Sequence, residues 1–340
     1  MLLIDALYIN NSGGKILLDY LISELEKTQE PIHYLLDLRI QNNHPTIKSS
    51  NKVTYSKASL LKRHFFYRKN EKTFNKVFCF GNLPPTLKLE VPVYTYFHQK
   101  LFLQIPDELS FSQKMVLGLK SKIFQKLLSN TEFWMVQTIA VKNEFLKKFP
   151  NIHKDTVILM PFYPSYTNAP SIVYREKNSF VYVSNGSPHK NHQRLIEAFA
   201  KFYQKHQAGK LYVTIGDEFI ALQTLITKYQ AKGVPIVNVG FLNRLELEIV
   251  YKKSEYLVFP SLTESFGLGL LEAIENGCKI IGADLPYTYA VCNPSLIFDP
   301  YDVESIAKTL YLASAKKTKL PEQLVFNEVN KLIKLLKKTC

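Results

Sequence analysis

The chain has 340 residues, 46% of them hydrophobic, enough for two cores, since a single core stops growing near about 250–300 residues. This mixture excludes a disordered protein, and four scattered cysteines (Cys79, Cys278, Cys292, Cys340) with no C-x-x-C pair argue against a disulfide framework or zinc site and for a reducing compartment. The formal net charge of +14 calls for an anionic partner: nucleic acid, an anionic membrane surface or phosphorylated small molecules.

The opening MLLIDALYIN lacks a basic leader and is broken by Asp5, so Leu2–Ile9 reads as a strand rather than a signal peptide. No run of about 18 apolar residues follows that would span a membrane. After the turn Asn10–Gly14 come a helical stretch at Lys15–Lys27 and a strand at Ile32–Asp37. Basic residues then crowd the stretch Lys52–Lys76: Lys57, Lys62, Arg63, Arg68, Lys69 and Lys72 face the single acid Glu71, with Phe65, Phe66 and Tyr67 among them. Aromatics entering the interface and lysines meeting acidic lipid suit an anionic membrane surface; a solvated lysine-rich face is the alternative. Strands are expected at Lys76–Phe80, Val93–Phe97 and Phe133–Val136, with a helix at Gln113–Leu128.

Pro161, Pro164, Asn168 and Pro170 make Met160–Ser171 a poor helix or strand, hence a linker. The alternation then restarts with strands at Phe180–Val183, Leu211–Ile215, Ile236–Asn238, Tyr256–Phe259 and Lys279–Ala283. Helices fall between them at Gln193–Gln204, Ile220–Lys232, Leu245–Lys253 and Phe266–Asn276. The expected class is α/β, with two successive doubly wound, Rossmann-like units over 1–165 and 170–315 and the ligand crevice between them. Residues 316–340 follow, where Pro321–Lys338 reads as an amphipathic helix packing back across both.

The chemistry concentrates in YLVFPSLTESFGLGLLEAIENGCKII. A strand runs into a turn, and a helix starts near Phe266 with Ser265, Gly267 and Gly269 at its mouth. Open amides at a helix start carry partial positive charge, and glycines let a phosphate approach the backbone. Glu264 stands before the helix and Glu272 lies inside it, so one carboxylate can reach the far end of a ligand while the other faces its ribose. The bland alternative makes Glu264 a helix cap and Glu272 a solvated first-turn acid. In VSNGSPHKNHQRLIEAF, Lys190 follows a strand and a Gly186-Ser187-Pro188 turn, a position suited to a point charge on phosphate. His189 and His192 suggest a metal, but no neighbouring carboxylate completes a ligand set. His98, with Gln99 beside it, ends a strand and so falls at the crevice; a structural histidine is the alternative.

Glu264-x7-Glu272 within PSLTESFGLGLLEA resembles the signature of retaining glycosyltransferases of family 4, which have the GT-B fold. GFLNRLELEIVYKKSEYLVFPS before it and GCKIIGADLPYTYAVCNPSLIFDPYDVESIAKTL after it resemble the family in the same order, so the likeness covers roughly residues 175–315. It implies that Glu264 contacts donor-sugar hydroxyls, that amides around Phe266, Gly267 and Leu268 approach sugar and diphosphate, and that Glu272 holds the ribose. It implies that Gly240 and Phe241 meet the nucleobase, that Lys190 contacts the diphosphate, and that His98 stands near the donor sugar. Asn10-Asn11-Ser12-Gly13-Gly14 resembles the family's N-terminal glycine loop, placing Gly13 and Gly14 among the binding residues. Many members carry an arginine where this chain has Ser184 and Asn185, which leaves the diphosphate one charge short.

The resemblance further implies no metal and no cofactor beyond the nucleotide-sugar donor, with an acceptor-binding first unit and a donor-binding second. Transfer would retain anomeric configuration by front-face attack, onto a lipid-linked bacterial surface glycan such as lipopolysaccharide or capsule. The setting implied is cytoplasmic, at the inner face of the membrane. The competing classes are a catalytically silent GT-B subunit that binds nucleotide sugar beside a partner enzyme, and a GT-B epimerase or phosphorylase. Charge alone suggests a nucleic-acid binder, and no recognition motif supports one, so nucleic acid is not an expected partner.

Overall fold

The computed structural model describes residues 1–104, 110–166 and 174–337; Asn168, Pro170 and Ser171 of the expected linker, with Lys338 and Cys340, lie outside them. The chain forms two compact units, one holding the described residues up to Pro164 and again from Phe326 onward, the other running from Ser165 to Val325.

In the first unit seven parallel strands, β1 (Leu2–Ala6), β2 (Ile32–Asp37), β3 (Lys52–Ser56), β4 (Lys76–Cys79), β5 (Val93–Phe97), β6 (Phe133–Val136) and β7 (Val157–Leu159), lie in the order β3-β2-β1-β4-β5-β6-β7. Strands β1, β2, β4 and β5 are buried along their whole length, because helices cover both sheet faces. The edge strand β3, KVTYS, is exposed or half-buried. Helices α1 (Ser12–Leu25), α2 (Leu60–Asn70), α3 (Phe111–Leu127) and α4 (Ile139–Lys148) connect the strands. Caps set their starts: Ser59, Ser110 and Thr138 each accept from the amide three residues on, and Ser110 forms a capping box with Gln113.

The basic run Lys52–Lys76 is not one surface. Arg63 is buried, donating to Asp5 at 2.7 Å and to the carbonyls of Pro84 (2.6 Å) and Leu83 (2.8 Å), while Tyr67 donates to the same Asp5 oxygen at 2.6 Å. A guanidinium out of water needs such a set of acceptors. Lys76 is buried as well and donates to the Leu335 carbonyl at 2.8 Å. Lys62, Arg68, Lys69 and Lys72 remain exposed.

The second unit runs β8 (Glu176–Tyr182), α5 (His192–His206), β9 (Lys210–Val213), α6 (Ile220–Gln230), β10 (Ile236–Asn238), α7 (Arg244–Lys253), β11 (Ser254–Phe259), α8 (Leu268–Glu275) and β12 (Lys279–Ala283). Then come α9 (Pro286–Val291), β13 (Cys292–Asn293), β14 (Leu296–Phe298), α10 (Val303–Ala315) and β15 (Glu322–Gln323). Its parallel sheet has the order β10-β9-β8-β11-β12-β14. The chain winds outward from β8 to β10, then crosses back to lay β11 against β8. A crevice therefore opens above the carboxyl ends of β8 and β11.

Two segments differ from the sequence expectation. The helix expected over Pro321–Lys338 begins only at Val329, because β15 pairs antiparallel with β13 and Leu324 donates to the Val291 carbonyl at 2.9 Å. The remainder is α11 (Val329–Lys337), part of the first unit, where Asn327 donates to the Tyr20 hydroxyl and the Glu328 amide to the Pro161 carbonyl, both at 2.8 Å. Met160, Phe162 and Tyr163, expected in a linker, are buried in the same unit, and Tyr96 donates to the Met160 carbonyl at 2.9 Å. Prolines forbid a helix there, but they do not expose the segment.

Candidate active site

The loops leaving β8 and β11 meet above their strands. The Leu262 amide donates to the His189 carbonyl at 2.8 Å, and Tyr182 donates to the Lys190 carbonyl at 2.9 Å. Asn191, in the left-handed region (φ 63°), donates from Nδ2 to the carbonyls of Pro260 (3.1 Å) and Pro300 (2.8 Å), tying three loops together. The lacing delivers Lys190 Nζ to Glu264 Oε1 at 2.6 Å, both side chains partly buried. Glu264 is thus no helix cap: the N-cap of α8 is Gly267 (φ 72°), which has no side chain to satisfy the first amides. Phe266 is buried beside it, and Leu268 opens the helix. Glu264, with its paired cation, thus stands three residues before uncapped amides, a set that offers an anion charge and donors and a polyhydroxylated ring an acceptor.

Glu272 is buried, one turn into α8. Its carboxylate accepts from Tyr166 and Tyr251, each at 3.3 Å, and Arg244 stands 3.7 Å away with its guanidinium carbon 4.0 Å from the Tyr166 ring centroid. Burial raises its pKa; the Arg244 charge and the two hydroxyls offset part of that, and the group titrates at about 7. Glu272 is therefore not a solvated acid.

Gly240 (φ 64°) turns the chain after β10, its amide donating to Asn238 Oδ1 at 3.2 Å, and Phe241 beyond it is 93% exposed. The loop ends at Asn243, whose capping box with Glu246 starts α7 and orients Arg244, its first residue, toward Glu272. Ser184 and Asn185 bring no charge; Asn185 braces its own turn by accepting from the Ser187 amide at 3.1 Å. His192 is buried, donates from Nε2 to the Asn185 carbonyl at 2.9 Å, and is driven by burial to a pKa of about 4. Among the described residues no group of three or more His, Cys, Asp or Glu could hold a metal ion.

In the first unit, His98 directly follows β5, with Nε2 3.0 Å from the Phe80 carbonyl and its ring stacked on Phe80 at 5.1 Å. A carbonyl only accepts, so Nε2 carries the proton and Nδ1 keeps its lone pair. Burial lowers the pKa to about 4, so the ring is neutral near pH 7. Gly14 adjoins it: a Cβ there would lie 3.2 Å from His98 Cε1, whereas one at Gly13 would meet open space. Gly14 and His98 thus form one cluster. Gln99 starts a short turn and caps nothing with its side chain.

Asn191, Arg244 and Tyr166 are parts of these sites that the sequence reading did not single out. Arg244 carried a signal, since it follows an N-cap with a glutamate three residues on. Tyr166 carried none, lying among prolines.

Residues 168–328 match the family described as glycosyl transferases group 1. The O-antigen chain mannosyltransferase RfbU of Salmonella typhimurium is 28% identical over 208 residues, 59% of this chain and 54% of that protein, so the chain spans about half the length of this relative. Sucrose-phosphate synthase from Thermosynechococcus elongatus superposes with a TM-score of 0.70 at 14% identity, over 91% of this chain and 88% of that one. The glycosyltransferase WaaG, involved in lipopolysaccharide biosynthesis, gives 0.66 at 14%, over 93% and 91%. At such identity the likeness to the two structures is one of fold.

Proposed function

We propose that the chain, whose residues 168–328 match the glycosyl transferases group 1 family and whose two α/β units carry the GT-B fold, transfers a sugar from a nucleotide-sugar donor to a bacterial surface glycan. The acceptor class follows the printed roles of RfbU and WaaG. We place the acceptor on a lipid carrier, in lipopolysaccharide or capsule assembly at the cytoplasmic face of the membrane.

The observation that carries this reading is the Lys190–Glu264 pair at 2.6 Å beside the uncapped start of α8. In this proposal the donor's diphosphate takes over Lys190 and the amides of Gly267 and Leu268, while Glu264, released, accepts hydroxyls of the sugar. Glu272 accepts the ribose hydroxyls, and Gly240 and Phe241 meet the base. Arg244 supplies the cation that Ser184 and Asn185 lack. The sugar's bond to the leaving phosphate oxygen breaks as the acceptor hydroxyl attacks the same face. That phosphate oxygen takes the hydroxyl proton, so configuration is retained. Lys190, Arg244 and helix amides stabilise the leaving charge without calling on a metal.

Thermal shifts with UDP-, GDP- and dTDP-sugars identify the donor, since a ligand bound only by the native state raises its stability. With that donor, Lys190→Ala and Glu264→Ala are expected to slow transfer by about a hundredfold or more. Wild-type turnover in both would overturn the proposal. The uncharged Ser184–Asn185 turn favours one second reading, a donor-binding subunit without activity, which binding in the absence of any transfer would reveal.

A further inference from the structure

Glu272, given the ribose hydroxyls in the proposed function, is closed to them as its neighbours stand. It is 4% exposed, and both carboxylate oxygens are engaged. Oε1 accepts from the Tyr166 hydroxyl at 3.3 Å with Arg244 Nη1 3.7 Å away, and Oε2 accepts from the Tyr251 hydroxyl at 3.3 Å. A ribose can reach this carboxylate only if a neighbouring side chain moves off it.

Which side chain can move follows from how each is held. Tyr251 is fully buried in the second unit, and its main-chain carbonyl accepts from Cys278 Sγ at 3.0 Å. Tyr166 is half-buried and lies outside any helix or strand. Its ring meets Tyr251 edge-on at 6.3 Å and carries the Arg244 guanidinium over its face, 4.0 Å from the centroid. Glu275, three residues beyond Glu272 on α8, accepts from the Tyr166 amide at 3.4 Å and from Ser165 Oγ at 3.1 Å. The backbone of Tyr166 is thus tethered to the helix while its side chain rests across the carboxylate. Rotation about its side-chain bonds uncovers Glu272 without unfolding any element.

We infer that Tyr166 is a built-in competitor of the donor: its side chain engages both Glu272 and Arg244, and must swing away before a nucleotide can take the carboxylate with its ribose and the guanidinium with its phosphate. This competition presupposes the proposed function and deepens it, naming what governs access to the donor site. The hydroxyl hydrogen bond and the stacked cation together favour the closed form by about tenfold. A site closed about ten to one binds its ligand about tenfold more weakly than an open one.

The test is calorimetry of the full chain with UDP, GDP and dTDP, for the wild type, Tyr166→Phe and Tyr166→Ala. It is run above pH 7, where Glu272, titrating at about 7, is ionised. Tyr166→Phe loses the hydroxyl and keeps the ring beside Arg244; it should bind the preferred nucleotide about threefold more tightly, and Tyr166→Ala about tenfold. In stopped flow the gain should lie in the association rate, which the loss of a merely structural tyrosine would not raise. Should the alanine variant fold poorly, Tyr166→Phe still decides. Variants that bind like wild type or more weakly, or whose gain lies wholly in slower dissociation, overturn the competition and leave the donor site standing. No binding of any nucleotide by all three proteins overturns both, whereas binding by the variants alone supports both.

Discussion

Glu272 shows how one side chain's surroundings decide its chemistry. Spacing makes it a residue of the second helical turn; burial between Tyr166, Tyr251 and Arg244 makes it a group titrating at about 7. Its pKa lies above the ordinary 4.5, so the native state holds the proton more tightly than the unfolded chain. Stability from this group is present at low pH and is lost as pH rises between about 4.5 and about 7, by roughly 3 kcal/mol. In the proposed function ribose hydroxyls donate to Glu272, and best to its ionised form, so nucleotide affinity should then run the other way. Titrations should show affinity rising with pH and levelling above about 7, and Glu272→Gln should be weaker and flat. A sloped Glu272→Gln curve would assign the dependence to another group.

At the scale of elements, the site depends on how loops turn out of strands. Gly267 holds φ at 72° to start α8, and a Cβ there would approach Leu270 Cδ1 to 3.1 Å. That side-chain end can shift, so the cost of Gly267→Ala is mainly the left-handed backbone, about 1–2 kcal/mol. A lower urea midpoint is expected, and, under the proposed function, weaker donor binding too, because the same turn precedes the first amides of α8. A variant as stable as wild type would show that the turn does not need glycine. Gly240 (φ 64°), with open space where its Cβ would be, is limited by backbone conformation alone.

Across the whole molecule, the two units answer acid differently. His98 in the first unit is held neutral, with a pKa of about 4 against an ordinary 6.5. The unfolded chain then binds the extra proton, so stability falls as pH drops from about 6.5 towards about 4, by up to about 3 kcal/mol. His33 and Asp37, both lowered, act in the same direction, while Asp19, raised by burial, opposes them. In the second unit His192 makes the same loss, and Glu176, lowered by its hydrogen bond from Tyr212, adds to it, but Glu272 gains over nearly the same range as His192 and offsets it. The first unit is expected to be the acid-labile one. Trp134, the chain's single tryptophan, is buried there and reports on it alone. Urea midpoints from its fluorescence should fall with acidification, less steeply in His98→Gln; a pH-independent wild-type midpoint would refute this.

The α/β alternation and the strands β2, β5, β6, β10 and β12 were legible to the residue, because buried parallel strands are short apolar runs between polar turns. The edge strand β3, half polar, and α2, short and basic, left no such trace. Within the site, Glu264, Lys190 and Glu272 were readable as residue types at the right ends of elements, since local sequence decides where strands stop and helices start. What they touch was not: the Lys190–Glu264 pair, the Arg244 and Tyr166 partners of Glu272, and the burial of Arg63 on Asp5 join residues up to 106 positions apart. Sequence periodicity reports only neighbours within a helical turn or along a strand. Burial and charge pairing arise when strand order brings distant loops together, so pKa values and the separation of exposed from buried lysines and arginines were decided by the tertiary structure alone.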